Sequence, residues 1–392
     1  MQNYPKKLDD GKIRVTQPPV QVDDDPELLA LMLADGATAQ AIYQPTNYWQ
    51  FIDRKLMPEL RQMGLRDFRA RHQSPLASSG ATDLKPLSPH LNLFAFRVFN
   101  NRFTVRIAGY DRWLERVEQA ISRRLPLAID VPISTKQMGK IALDRADHYG
   151  AKWQAKPLTD AYDSLVGNPE WVIERQGLPY TISFLNKYLD YAYCCQFIDF
   201  DSIRTVVELG PGSGRQSEVL KKLHPHLTLY LFDIPPQLYV CEQYLKKVFP
   251  DATVGYRETR AFDQLPEADG RIYLFSNWKF LLLGGRRIDL FWNAASLQEM
   301  EPDVVANYLS YVNRSADAVF LNACMAGKHV ARRPNFPGVL RPTTIEDYRS
   351  CLADFDCRDR AFAVTAFGGE ADKQPYNYEN SFWRRQIKAG GG

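Results

Sequence analysis

Cysteine is scarce and unpaired in this chain of 392 residues. Six are present, none in a CxxC pair, and Cys194 and Cys195 are neighbours whose mutual bridge would be strained. A small stapled scaffold is excluded, and the cysteines read as small core residues in a reducing cytosol. Long apolar runs are missing too: stretches such as Phe280 to Leu283 end in glycine and arginine, far short of the roughly 18 residues a membrane span needs. The first dozen residues, MQNYPKKLDDGK, lack the apolar stretch of a secretory signal. Nor is there an excess of one charge, since 49 basic and 46 acidic residues leave a net +3, which implies neither a nucleic-acid-coating surface nor an acidic tail. No internal repeat is visible. These absences predict a soluble, cytoplasmic protein with no membrane and no nucleic-acid partner; a homo-oligomer is left open.

What is present is ordinary globular composition, 45% hydrophobic and 24% charged, and a length that suggests two or three domains at roughly 150 residues each. The first half reads as mainly helical. Trp49, Ile52, Leu56, Leu60 and Met63 fall on one helix face, as do Trp113, Val117, Ala120 and Ile121. Gln73 to Pro89 has Ser, Pro and Gly without period and predicts a long loop or mobile segment; Leu91 to Phe99 predicts a short strand or hairpin. After a loop at Gly167-Asn168-Pro169, the run Tyr180 to Phe197 predicts a helix whose Tyr188, Tyr191 and Tyr193 are buried against a neighbouring domain.

From Thr205 the texture changes. Short β-rich runs (TVVELG, LTLYLFDI, RIYLFSNW, RIDLFWNAAS, AVFLNAC) alternate with helical segments that begin at Pro235-Pro236 and near Pro302. In the first of these helices Leu238, Cys241, Leu245 and Val248 share a face, with Glu242, Lys246 and Lys247 on the opposite, solvent side. In the second, Val305, Leu309 and Val312 share a face. The alternation predicts an α/β fold, a doubly wound Rossmann-like sheet over residues 176–392, preceded by a mainly helical domain or lid over residues 1–175.

One motif carries chemistry. Glu208-Leu209-Gly210-Pro211-Gly212-Ser213-Gly214 closes a strand and opens a helix, where a glycine turn admits a ligand close to the backbone. The spacing is GxGxG with arginine next, and not the GxGxxG of a dinucleotide site. Glu208 would repel a pyrophosphate but hold an ammonium group, and Asp233, nineteen residues past Gly214, ends the second strand where it can bond ribose hydroxyls. An adenosine carrying a cationic amino-acid portion meets all three features, and that ligand is S-adenosylmethionine. The bland alternative is a tight turn in a nucleotide-free domain, with Asp233 capping the next helix.

Here the chain resembles the class I methyltransferases, with an acid before GxGxG and a second-strand acid for the ribose. VVELGPGSGRQSEVL, FDIPPQLYVCEQYLKKVFP, LFSNWKFLLL and DLFWNAASLQEM together resemble a sugar O-methyltransferase family of polysaccharide and natural-product clusters, over roughly residues 160 to 325. The resemblance implies an S-adenosylmethionine-dependent transferase acting on a small-molecule acceptor, a hydroxyl of a sugar or glycosylated metabolite. Ile234 would follow the ribose acid. Ser276, Asn277 and Trp278 would form the adenine edge, Trp278 being equally a core residue. Asn293 and Ser296 would form a wall by the methyl donor.

Two general bases come into question, Glu299 and His329; Glu299 can instead cap backbone amides, and His329 can be a solvated loop residue. Arg332 and Arg333 could clamp an anionic group on the acceptor or simply be solvated. His224 and His226, flanking Pro225, read as surface residues. Asp289, Glu299 and Glu301 lie close in sequence, yet no ligand spacing argues for a metal. The segment Asn293-Ala294-Ala295-Ser296 departs from the Pro-Pro-aromatic turn of base-nitrogen methyltransferases. Competing readings are a methyltransferase for a polyketide, phenol or amino-acid-derived metabolite, a cofactor-binding protein without turnover, and a nicotinamide oxidoreductase.

Overall fold

The core strands are apolar at nearly every position because both faces of the sheet are covered. Leu229 and Leu231 point into one hydrophobic core and Tyr230 and Phe232 into the other, and Leu274 and Phe275 divide in the same way. The structure, a computed structural model, describes residues 20–71, 74–83, 135–366 and 378–386. The expected helix face at Trp113 to Ile121, the expected strand at Leu91 to Phe99 and the terminal glycines lie outside the described residues.

In chain order the described helices are α1 (Pro26–Ala37), α2 (Asn47–Met63), α3 (Thr135–Lys152), α4 (Ile182–Cys194), α5 (Arg215–Leu223), α6 (Pro235–Val248), α7 (Tyr256–Thr259), α8 (Pro302–Ser315) and α9 (Ile345–Cys351). The strands are β1 (Ile173–Arg175) and β2 (Leu178–Tyr180), which form a small hairpin, then β3 (Thr205–Leu209), β4 (Thr228–Asp233), β5 (Thr253–Val254), β6 (Ile272–Ser276), β7 (Ile288–Ala294), β8 (Ala316–Cys324), β9 (Phe355–Phe362) and β10 (Tyr378–Arg385). The main sheet has the order β5-β6-β4-β3-β7-β8-β10-β9; its pairs from β5 to β8 are parallel, and β10 runs antiparallel to both β8 and β9. The fold is therefore α/β and Rossmann-like, as expected, with an antiparallel edge that the sequence did not announce. The strand order reverses direction between β3 and β7, and at such a switch point the diverging loops leave a crevice beyond the strand ends.

The helical N-terminal region is present and packs into the same core. Asp25 caps α1 by accepting a 2.9 Å bond from the Leu28 amide, and Pro26 begins the helix without needing a partner for an amide. Leu28, Leu29 and Met32 then lie in one cluster with Leu238 and Tyr239 of α6. This covering explains a correction. Glu242, expected on a solvent face, is fully buried and accepts a 2.7 Å bond from the Tyr256 amide, because Gly255 and the start of α7 close over it while Lys246 pairs with it. On α2 the expected face is buried from Trp49 to Leu60, but Met63 at the last position is exposed.

His224 is a second correction. It is buried, with its ring bonded to the Tyr191 hydroxyl at 3.0 Å and to Asp201 at 2.8 Å, and burial lowers its pKa to about 4; His226 is exposed, as expected. The segment expected to be a long loop contains, within its described residues 74–83, a short 3-10 helix (Pro75–Ser79), and Leu76 and Ala81 are fully buried.

A buried ion network fixes that segment. Arg69 grips both oxygens of Asp163 at 2.7 and 2.6 Å and donates to Asp83 at 2.7 Å, while Asp83 also pairs with Arg215, the first residue of α5. The Thr181 hydroxyl adds a 2.6 Å bond to Asp163. Burial alone would push Asp163 up, but the Arg69 guanidinium holds its carboxyl well below the usual range. Replacing Arg69 with methionine leaves the buried Asp163 without its bonded cation and Asp83 with Arg215 alone, and urea denaturation is expected to show a loss of about 3–5 kcal/mol.

Candidate active site

At the carboxyl ends of β3, β4 and β7 lies a cleft of about 900 Å³, its open mouth included. Its floor is the turn from β3 into α5, and its walls come from the turns after β4, β6 and β7. Among the residues expected at a cofactor, Glu208, Gly210, Pro211, Gly212, Ser213, Asp233, Ile234, Asn277 and Ser296 line it.

Two glycines of the motif have separate jobs. Gly212 has φ +58° and sits under the N-terminal segment, where a Cβ would lie 2.4 Å from the Ser79 carbonyl oxygen. Gly214, at φ +80°, does not line the cleft; a Cβ there would meet Leu245 and Cys241 at 2.9–3.0 Å, so its absence of a side chain lets α5 start against α6. Asn293 is likewise structural. Its amide donates to the Leu209 carbonyl at 2.7 Å and its oxygen accepts from the Leu297 amide at 3.1 Å, tying the end of β7 to β3 behind the cleft wall. Ser276 is buried behind the lining, and Trp278 packs near Gly36 of α1 rather than in the cleft.

Three buried carboxylates face this space. Burial pushes Glu208 up to about 7, against the pull of the Lys187 charge and a 3.3 Å bond from the Ser217 hydroxyl. Asp233 is raised well above the ordinary range, chiefly by burial, although the amides of Ile234 and Gly212 donate to it at 2.8 and 3.2 Å. Glu299, the third, is raised by burial to about 7 and pairs with Lys328, whose ammonium lies 3.8 Å from the centre of the Tyr48 ring. Such a set is unfavourable by itself and favours a ligand that brings positive charge and hydroxyl donors.

His329, Arg332 and Arg333 are exposed, and none of them lines the cleft. Their loop nevertheless docks nearby: Asn47, at the start of α2, donates to the carbonyls of Phe336 and Gly338 at 3.0 and 2.8 Å. Asp289, close to Glu299 in sequence, is at the start of β7 and bonds Thr205. Sequence reasoning missed Trp49, Ser78, Ser79, Gly80, Lys187, Gln237 and Tyr308, which complete the walls. Most come from segments remote from the motif. Gln237 was within reach, on the first turn after Asp233; it is 1% exposed, and neither end of its amide has a partner.

Residues 186–276 match a family model described as an O-methyltransferase domain. The likeness is confined to that segment. It runs from α4 through the glycine turn and Asp233 to the end of β6, so it contains half of the residues that line the cleft, in less than a quarter of the chain. No curated protein matches. Among solved structures the chain is similar to the pyocyanin biosynthetic protein PhzM at 13% identity, covering 52% of this chain and 56% of that one, with a TM-score of 0.34. It is similar also to the O-methyltransferase NcsB1 of neocarzinostatin biosynthesis, at 15% identity, 52% and 56% coverage and a TM-score of 0.34. Magnesium protoporphyrin IX methyltransferase from Synechocystis PCC 6803 shows 14% identity, 67% and 100% coverage and a TM-score of 0.34. The chain thus spans little more than half the length of PhzM and NcsB1.

The residues present fit S-adenosylmethionine. Glu208 awaits a cation, Asp233 presents its carboxylate beyond two backbone amides, and the Asn277 side-chain oxygen and the Gln237 amide are buried without partners beside it. A ligand ammonium next to Glu208 lowers that carboxyl's pKa, so binding is strongest where Glu208 is already ionised. Affinity for S-adenosylhomocysteine is expected to rise from pH 5 to pH 7.5, with proton release on binding below pH 7, both read by calorimetry. Glu208→Gln should flatten this dependence, and Asp233→Ala should cost about 1.5–3 kcal/mol of affinity at every pH.

Proposed function

We propose that the protein is an S-adenosylmethionine-dependent methyltransferase that transfers a methyl group to a hydroxyl of a sugar or glycosylated natural-product intermediate in the cytoplasm. The observation that carries this reading is Glu299, a buried carboxylate with its pKa raised to about 7, in the same cleft as the glycine motif and Asp233. The resemblance over residues 160 to 325 supports the sugar acceptor.

Bound S-adenosylmethionine would supply an electrophilic methyl on a positively charged sulfur. Glu208 would hold its ammonium group, Asp233 its ribose hydroxyls, and Asn277 with Gln237 the edge of its base. Glu299 is the general base that takes the acceptor hydroxyl's proton, because an alkoxide-like oxygen is a far better nucleophile than a neutral sugar hydroxyl. Lys328 and the Tyr48 and Trp49 side chains bond to Glu299 and set its orientation. The base role falls to Glu299 rather than His329, since the histidine is exposed outside the cleft. Much of the rate comes from alignment of acceptor oxygen and methyl group, which Trp49 and Met300 on the cleft wall would enforce by shape. Arg332 and Arg333, on the loop docked against Asn47, would meet an anionic group of the acceptor outside the mouth.

The test is transfer of labelled methyl from S-adenosylmethionine to a panel of sugar nucleotides, glycosides and phenols. A methylated sugar is the expected product; a methylated phenol alone would overturn the acceptor, and no transfer to any member would count against the enzyme. Glu299→Gln should lower kcat at least tenfold with donor affinity nearly unchanged, and should abolish the rise in rate as pH approaches 7. With an anionic acceptor, replacing Arg332 and Arg333 by alanine should raise the acceptor KM and leave kcat near its original value.

A further inference from the structure

The cleft holds a cation that the proposed transfer leaves unused. Lys187 stands on α4, outside the glycine motif, and its side chain lines the cleft at about one-third exposure. The other cationic side chain among the described lining residues is Arg215, and it is committed to Asp83 and to the carbonyls of Gly80 and Thr82. Lys328 is committed to Glu299. Among the described residues Lys187 has only a stretched pair, 4.0 Å, with Asp190 one turn along its own helix. Its charge is nonetheless felt by Glu208, across a part of the cleft that both residues line.

An α-amino acid carries its ammonium and its carboxylate on one carbon. If the ammonium meets Glu208, the carboxylate needs a positive partner a few ångströms away, and a lysine is a flexible point charge suited to it. We infer that Lys187 holds the α-carboxylate of the methyl donor, so that Glu208 and Lys187 together grip the zwitterionic end of the ligand. Two residues from different elements, α4 and β3, then read both charges of one amino acid, and a nucleoside that lacks either charge is discriminated against. The inference rests on the donor reading given above. It assigns to α4 a binding role besides its packing in the core.

The test compares two ligands on the full chain by calorimetry, S-adenosylmethionine and its decarboxylated analogue, which keeps the ammonium, sulfonium and adenosine. The unaltered protein should bind the carboxylate-bearing donor at least tenfold more tightly. Lys187→Met should remove most of that preference by weakening S-adenosylmethionine alone, Lys187→Arg should largely restore it, and Glu208→Gln should weaken both ligands. Equal affinity of the unaltered protein for the two ligands overturns the inference without touching the donor reading, as does a Lys187→Met variant that weakens both alike. Failure to bind either ligand overturns the donor reading itself. Should Lys187→Met fail to fold, Lys187→Gln carries the same comparison, and equal affinity of the unaltered protein overturns the inference without any variant.

Discussion

Two arginines and two aspartates, wholly or almost wholly removed from water, join the N-terminal segment to the first turn of the helix that follows the glycine motif. Arg69 and Arg215 converge on Asp83, and Arg69 also closes on Asp163. Charges in that setting cost several kcal/mol each to desolvate, and they are tolerable only while every partner is in place. The network therefore acts as a constraint on position. It places Ser78, Ser79 and Gly80 over Gly212, and those residues are a wall of the cleft. Without the network the donor turn would be open to water on that side.

The cleft itself is arranged in the opposite sense. Where the network balances its charges, Glu208 and Asp233 are buried with no cationic side chain bonded to them among the described residues, and burial raises their pKa values. Polar groups held ready in a low-dielectric site need little rearrangement when a ligand of complementary charge arrives. The two features depend on each other, because a saturated ion network can keep a wall rigid beside carboxylates that destabilise the empty cleft. Glu299 shares both characters: it is paired with Lys328, yet burial raises its pKa to about 7, which suits the general-base role proposed for it.

The parallel strands were legible because strands covered on both faces are apolar at most positions, and the VV of TVVEL and the LYLF of TLYLF show it. The antiparallel strands β9 and β10 were not. β9 is mostly exposed and charged, FDCRDRAF, and carries no apolar run to betray it. The donor half of the cleft was legible for a different reason: a glycine turn between a strand and a helix must have its acid, its glycines and the next strand's acid at fixed short spacings. His224 shows the limit. Flanked by proline and a second histidine it reads as a loop residue, and only the fold brings Tyr191 and Asp201 over it.

By itself, then, the sequence determined the α/β class, the glycine turn with Glu208 and Asp233, and hence the kind of ligand that turn can hold, because all of these depend on neighbours within one strand-turn-helix unit or the next. Tertiary structure alone decided which distant groups share the cleft. Lys187, Trp49 and residues 78–80 reach it through packing contacts with no local signature, and His329 is left outside although it lies only thirty residues from Glu299. The physical reason is that local motifs are set by backbone geometry over a few residues, whereas the walls of a site at a strand switch point are set by how whole helices and loops close over the sheet.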